Sequence, residues 1–235
     1  MWTGRCHIMQ LRQDADGRDL DPRDPANWTV PEPILGPGER ILNPVQHISL
    51  DMTVIVDSGR WYYAWQQVGS IWIASFDPAR PERLTCEPKQ VVVPDNMIAE
   101  GPNAFVHEGK IFLIYSGSLV GIDYTTGLVT APAGVRADLT DPATWTKLDY
   151  PLQKSGMYNG EWQLGTGHGM WSHDEGGNLI YVFHNAEYDN GRYGGRDAQV
   201  RRVHWSGEGM PILDMQRDEE LNPAYAGVTM EIAVR

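Results

Sequence analysis

The hexamer Asp24-Pro25-Ala26-Asn27-Trp28-Thr29 returns almost unchanged 117 positions later as Asp141-Pro142-Ala143-Thr144-Trp145-Thr146, with Asp77-Pro78-Ala79 between them. Two such intervals average about 58 residues, near the ~40–50 residues per unit of propeller and kelch arrays. A second phrase recurs beside the first. Asp57-Ser58-Gly59 before Arg60-Trp61-Tyr62-Tyr63-Ala64-Trp65, Glu108-Gly109 before Lys110-Ile111-Phe112-Leu113-Ile114-Tyr115, and Glu175-Gly176-Gly177 before Asn178-Leu179-Ile180-Tyr181-Val182-Phe183 each set an acidic, glycine-containing turn before an aromatic and β-branched run. Each reads as a hairpin. The later runs are apolar on both faces, as sheets packed between neighbouring sheets require.

No segment carries a 3.6-residue apolar stripe between helix caps. Glycine and proline make up 41 of 235 residues, about 17% against the usual ~12%, which suits many short strands and turns. The sequence therefore predicts an all-β chain forming a single β-propeller domain of four-stranded blades. Its parts are expected at 1–49 (a partial blade), 50–99, 100–164 and 165–220 (blades), and 221–235 (a closing strand built on Val228 to Val234). Trp28 and Trp145 are expected at equivalent places in their blades.

A net charge of −12 argues against nucleic acid or a membrane surface as partner, because both need a positive footprint. No apolar run reaches the ~18 residues of a membrane span. The N-terminus lacks the apolar core of a signal peptide. Cys6 and Cys86 lie in unrelated contexts, so neither a zinc site nor a disulfide framework is expected.

The innermost strand of each propeller blade lines the axis, and the expected blade starts carry polar groups. Ser49-Leu50-Asp51 brings Asp51, Ala99-Glu100-Gly101-Pro102 brings Glu100, and Gly165-Thr166-Gly167-His168-Gly169 brings His168. A lone E-G-P is a common turn and a lone Asp or His is usually structural. Three at matching places in successive repeats point to one cavity. Two carboxylates facing one cavity can hold different protonation states, so one site can supply an acid and an ionised partner.

The run from Ile48 to Leu213 resembles glycoside hydrolase family 43, five-bladed β-propeller enzymes acting on arabinose- and xylose-containing plant polysaccharides. Leu50-Asp51, Ala99-Glu100-Gly101-Pro102, Leu113-Ile114-Tyr115-Ser116-Gly117-Ser118, Thr166-Gly167-His168, Gly195-Arg196, Val203-His204-Trp205 and Gly209-Met210-Pro211 carry the resemblance. It implies an inverting acid/base hydrolase with Glu100 as general acid and Asp51 as the group that raises the acid's pKa and orients it. His168 would help to hold a hydrated ion, with calcium as the candidate, through water; no cofactor is otherwise required. Arg196 would reach the sugar in the deepest subsite, the alternative being a salt bridge to a neighbouring blade. Trp162, Trp171, Tyr158 and Tyr124 are candidate sugar-stacking platforms, although most of the nine Trp are expected in inter-blade packing. Gly191 to Gly195 reads as a rim loop or a long hairpin. The loop Gly121 to Gly127 departs from commoner members, which leaves arabinose against xylose, and exo against endo action, open.

The resemblance also places a general base Asp about two blades before Asp51, roughly 115 positions upstream at that spacing, and only fifty residues precede Asp51. Met1-Trp2-Thr3-Gly4 resembles the end of a second strand, and Asp14, Asp16, Asp19, Asp21 and Asp24 fall in a polar turn region. The expectation is a propeller shortened at its N-terminus, lacking the first blade and part of the second. Such a chain has no base of its own, is inactive unless another chain supplies one, and exposes blade faces that favour a homo-oligomer. Two alternatives stand beside the hydrolase: a non-catalytic glycan-binding or interaction propeller, and a phosphorolytic enzyme. The latter needs a basic cluster, for which only Arg196 and Arg192 are available.

Overall fold

The computed structural model describes residues 4–46, 48–94, 97–121, 123–189, 192–220 and 233. The N-terminal triplet and the expected closing strand at 221–235 lie outside them, residue 233 apart. Among the described residues the regular structure is strand, with 3-10 turns only. An opening hairpin region contains β1 (His7–Ile8), β2 (Glu32–Pro33), β3 (Leu35–Gly36) and β4 (Arg40–Ile41), in which β1 pairs with β2 and β3 with β4. The first four-stranded sheet runs β5 (Leu50–Asp57), β6 (Arg60–Gln67), β7 (Ser70–Phe76) and β8 (Lys89–Val92) in spatial as in chain order. The second repeats that meander with β9 (Ala99–His107), β10 (Lys110–Gly117), β11 (Thr125–Pro132) and β12 (Thr146–Lys147).

The third sheet departs from the expected unit. It contains β13 (Gly156–Tyr158), β14 (Glu161–His173), β15 (Leu179–Asp189) and β16 (Arg192–Arg202), and a separate hairpin of β17 (His204–Trp205) and β18 (Pro211–Ile212) follows. The boundary set at 164/165 falls inside the 13-residue β14. Its first residues pair with β13 and its later ones with β15, because bulges bend the strand between Leu164 and Met170.

Tight turns fix the register. Ser58-Gly59, Val68-Gly69, Glu108-Gly109 and Asn159-Gly160 each hold both residues at positive φ, between 46° and 85°. That is the type I′ hairpin, whose twist matches the flanking strands. The third expected hairpin closes differently: Asp174 Oδ1 accepts from the amides of Gly176 and Asn178 in a longer turn. The repeated hexamer is a repeated structure. Asp24 and Asp141 each cap a 3-10 turn by accepting from the amide two residues on, and Trp28 and Trp145 each follow that turn and donate their indole N–H to a carbonyl six residues earlier. The two tryptophans thus occupy equivalent local positions, as expected.

The sheets stack through three apolar layers. Ile34 and Leu42 pack on Tyr63, Trp65, Ala74 and Phe76; Ile55, Ala64, Ile71 and Ile73 pack on Ile111, Leu113 and Val129; Phe112, Ile114 and Leu128 pack on Trp171, Tyr181 and Phe183. Full burial of such a side chain contributes roughly 1.5–3 kcal/mol. One polar latch joins the first two sheets. Asp57, buried, accepts from the Gly134 amide at 2.9 and 3.0 Å and from Arg60, whose guanidinium also donates to the carbonyls of Gly134 and Ala137 at 2.6 Å each.

Candidate active site

Each inner strand carries a bulge, near the start of β5 and β9 and midway along β14, and these bulges build the site. Leu50 faces Gln66 and Thr53 faces Ala64; Glu100 faces Ser116 and Asn103 faces Ile114; Gly167 faces His184 and Met170 faces Val182. In each case three residues on the inner strand span two on its neighbour. The extra residue sits in the left-handed region: Asp51 at φ 55°, Gly101 at 57° and His168 at 49°. A bulge of this kind turns a side chain out of the pleat. The expectation that Asp51, Glu100 and His168 are equivalent is therefore corrected: Gly101 is the counterpart of Asp51 and His168, and Glu100 stands one residue earlier, beside Ser116.

Close packing then brings the three together. The Gly101 amide donates to Asp51 Oδ2 at 3.1 Å, which ties Asp51 to the backbone that carries Glu100. A Cβ on Gly101 would stand 3.1–3.2 Å from the His168 ring, so the imidazole lies close over Gly101 and a side chain there would displace it by a few tenths of an ångström. His168 Nε2 is 3.9 Å from Asp51 Oδ1, and the His168 amide donates to Ser116 Oγ at 2.6 Å. Tyr124 completes the cluster, its hydroxyl donating to Glu100 Oε1 at 2.6 Å and meeting His168 Nδ1 at 3.1 Å.

The Gly-Thr-Gly-His-Gly phrase has a packing explanation. A Cβ at Gly165, Gly167 or Gly169 would stand 2.2–2.6 Å from the ring of Tyr193, Tyr124 or Tyr181 respectively, so alternate glycines seat three tyrosines. Tyr193 donates its hydroxyl proton to the Gly165 carbonyl at 2.9 Å and meets His184 Nε2 at 3.1 Å, which places a proton on that nitrogen of His184. Burial first, then the nearby charges of Arg196 and His168, push the His184 pKa down to about 4. Burial and the bond to Glu100 hold the Tyr124 phenol far above its ordinary value, so it remains a donor.

The aromatic platforms are redistributed. Tyr124 is fully buried and bonded to the Glu100 carboxyl; it offers no face to a sugar. Trp171 is buried in the layer between the second and third sheets and donates its indole N–H to the Phe112 carbonyl, so it belongs to inter-blade packing. Tyr158 lies under the Arg201 guanidinium at 3.8 Å, a structural contact. Trp162 is 68% exposed on the hairpin of β13 and β14 and presents its ring to solvent. Arg196 is exposed and acts electrostatically on His184 and Tyr193, which sets it beside the cluster. Of the stretch expected as a rim loop or long hairpin, Arg192 to Gly195 lie in β16, paired with β15, and Gly191 lies outside the described residues. His168 meets Tyr124 through Nδ1 and faces Asp51 through Nε2, and among the described residues no three His, Cys, Asp or Glu side chains converge to hold a metal directly. Sequence reasoning missed His184, Tyr193 and the bonding role of Ser116; the only signal was the glycine spacing that seats the rings.

Stacked four-stranded sheets of this order make the fold a β-propeller, whose inner strands bring two carboxyl groups together beside a tyrosine and a histidine. The model of glycosyl hydrolases family 43 matches residues 21–211, and the chain belongs to that family. It is 31% identical over 204 residues to an extracellular exo-α-(1→5)-L-arabinofuranosidase of Streptomyces avermitilis, covering 78% of this chain and 41% of the relative. It is 30% identical over 184 residues to α-L-arabinofuranosidase 43 of Humicola insolens, covering 69% and 37%. The chain thus spans about two fifths of the length of these relatives. Among solved structures, the α-L-arabinofuranosidase from Lactobacillus brevis superposes with a TM-score of 0.68 at 27% identity, over 85% of this chain and 67% of that one.

Proposed function

We propose that this chain carries the acid side of an inverting glycosidase site for arabinosyl or xylosyl linkages, with Glu100 as general acid and Asp51 as its ionised companion. The observation that carries the reading is the convergence of Glu100, Asp51, Tyr124 and His168 through contacts of 2.6–3.9 Å. In the reaction Glu100 gives its proton to the glycosidic oxygen as the C–O bond breaks and the bonding pair passes to that oxygen. Water adds to the opposite face of the sugar and yields its proton to a base roughly 6.5–9.5 Å from the acid. Arg196 and the exposed face of Trp162 are proposed to meet the sugar.

No described residue is assigned as that base. Asp14, Asp21 and Asp24 serve local turns in the exposed opening region, and Asp19 accepts from Gln13 there. We propose that the base is supplied from outside the described residues. The test is pentose release from nitrophenyl arabinofuranosides, nitrophenyl xylosides and arabinoxylan. With sodium azide standing in for water and its base, turnover that disappears in Glu100→Gln is expected, and turnover that survives in that variant rejects the acid assignment. Calorimetric binding of arabino- or xylo-oligosaccharides with no turnover under any condition would instead favour a glycan-binding propeller.

A further inference from the structure

We propose that Tyr124 is the positioning residue of the acid: it anchors the Glu100 carboxyl through Oε1 and leaves Oε2 as the atom that carries the proton to the leaving group. This rests on the reading of Glu100 as general acid. It follows from counting hydrogens. A phenol has one proton to give and two lone pairs to accept with, and here three partners: Glu100, Ser116 and His168. In the proposed arrangement the phenol gives that proton to Oε1 at 2.6 Å, and its oxygen accepts from Ser116 Oγ–H and from His168, in its Nδ1–H tautomer, at 3.1 Å. With Oε1 accepting from Tyr124, a proton on the carboxyl resides on Oε2.

The anchor is itself rigid. Tyr124 is fully buried, its ring sits on Gly167 where a Cβ would come within 2.6–2.7 Å, its amide donates to the Gly121 carbonyl at 3.1 Å, and it stacks on His184 at 5.7 Å. His168, the group that fixes the phenol's orientation, is held by Ser116 at its amide and faces Asp51 with its other ring nitrogen. A continuous path of side chains therefore runs from Asp51 through His168 and Tyr124 to Glu100. Preorganisation of this kind matters for proton transfer, because the donor must already point at the leaving oxygen.

The experiment compares wild type, Tyr124→Phe, Glu100→Gln and the double variant on 2,4-dinitrophenyl α-L-arabinofuranoside, whose leaving group needs no proton, and on the methyl pentoside, which does. All assays contain sodium azide as external nucleophile. Tyr124→Phe should lose about tenfold or more of kcat/KM on the methyl pentoside, the lower part of the range for general acid catalysis. On the dinitrophenyl substrate it should stay within about threefold, and the double variant should be no worse than Glu100→Gln, as for residues acting as one unit. A Glu100→Gln variant that shows the leaving-group split while Tyr124→Phe does not would overturn the inference and leave the acid assignment standing. If Glu100→Gln shows no split, the acid assignment fails, and crystal structures of wild type and Tyr124→Phe decide the positioning claim. Glu100 should leave its rotamer in the variant with Asp51 unmoved; an unmoved Glu100 would overturn it.

Discussion

Gly101 shows how much of the site hangs on a missing methyl group. It sits at φ 57° under the His168 ring, so Gly101→Ala both strains the backbone, by about 1 kcal/mol or more, and pushes the imidazole away from Asp51. Loss of the His168 to Tyr124 contact in a crystal structure of that variant is the expected outcome. His184 provides a pH signature. Its folded value of about 4 lies below the ordinary 6.5, so below 6.5 the unfolded chain takes up a proton that the folded one refuses. Stability should fall as pH drops from 6.5 to 4 and level off below that. Urea midpoints at pH 7 and pH 4.5 check this, and His184→Asn should flatten the difference. At this scale the sequence was legible where a residue type is chemically rare in its place, as with Glu100 and Asp51. It was opaque for Tyr124, because an aromatic beside a cavity looks the same whether it stacks on a sugar or grips a carboxylate.

At the scale of elements, the repeat predicts which faces are covered. Ile73, Leu128 and Val200 occupy the same register position in the three sheets, facing Ala64, Ile114 and Val182 respectively. The first two are fully buried between sheets, whereas Val200 is 57% exposed. Leu128→Ala should therefore cost about 2–5 kcal/mol by leaving a cavity, while Val200→Ala should stay within about 0.5 kcal/mol as a surface change. Equal losses in denaturant titrations would contradict the assignment of faces. Asp57→Ala should cost about 3–5 kcal/mol, since it leaves the Arg60 charge and the Gly134 amide without their carboxylate. The sheets and their turns were readable because X-Gly turns and two-faced apolar runs are local signals. The third sheet was misdivided because the bulges of β14 turn at Gly165 and His168 while Gly167 and Gly169 seat tyrosine rings, so that glycine pattern marks bulging and close packing and not a strand end.

For the whole molecule, the opening region supplies strands that cover the first sheet, and its carboxylates cap turns at the surface. Propeller architecture was legible from the interval between the repeated hexamers, because blades of one size must recur at one spacing. The direction in which side chains reach the axis was not, since one extra residue in a bulge reverses it. The most direct test of the proposal that this chain holds the acid side of the site and takes its base from elsewhere is the stereochemistry of an azide reaction. With 2,4-dinitrophenyl α-L-arabinofuranoside, sodium azide should accelerate turnover by this chain and yield the β-L-arabinofuranosyl azide, read by proton NMR, because the nucleophile enters on the face opposite the leaving group. Full turnover in water with no response to azide, or the α-azide as product, would contradict it.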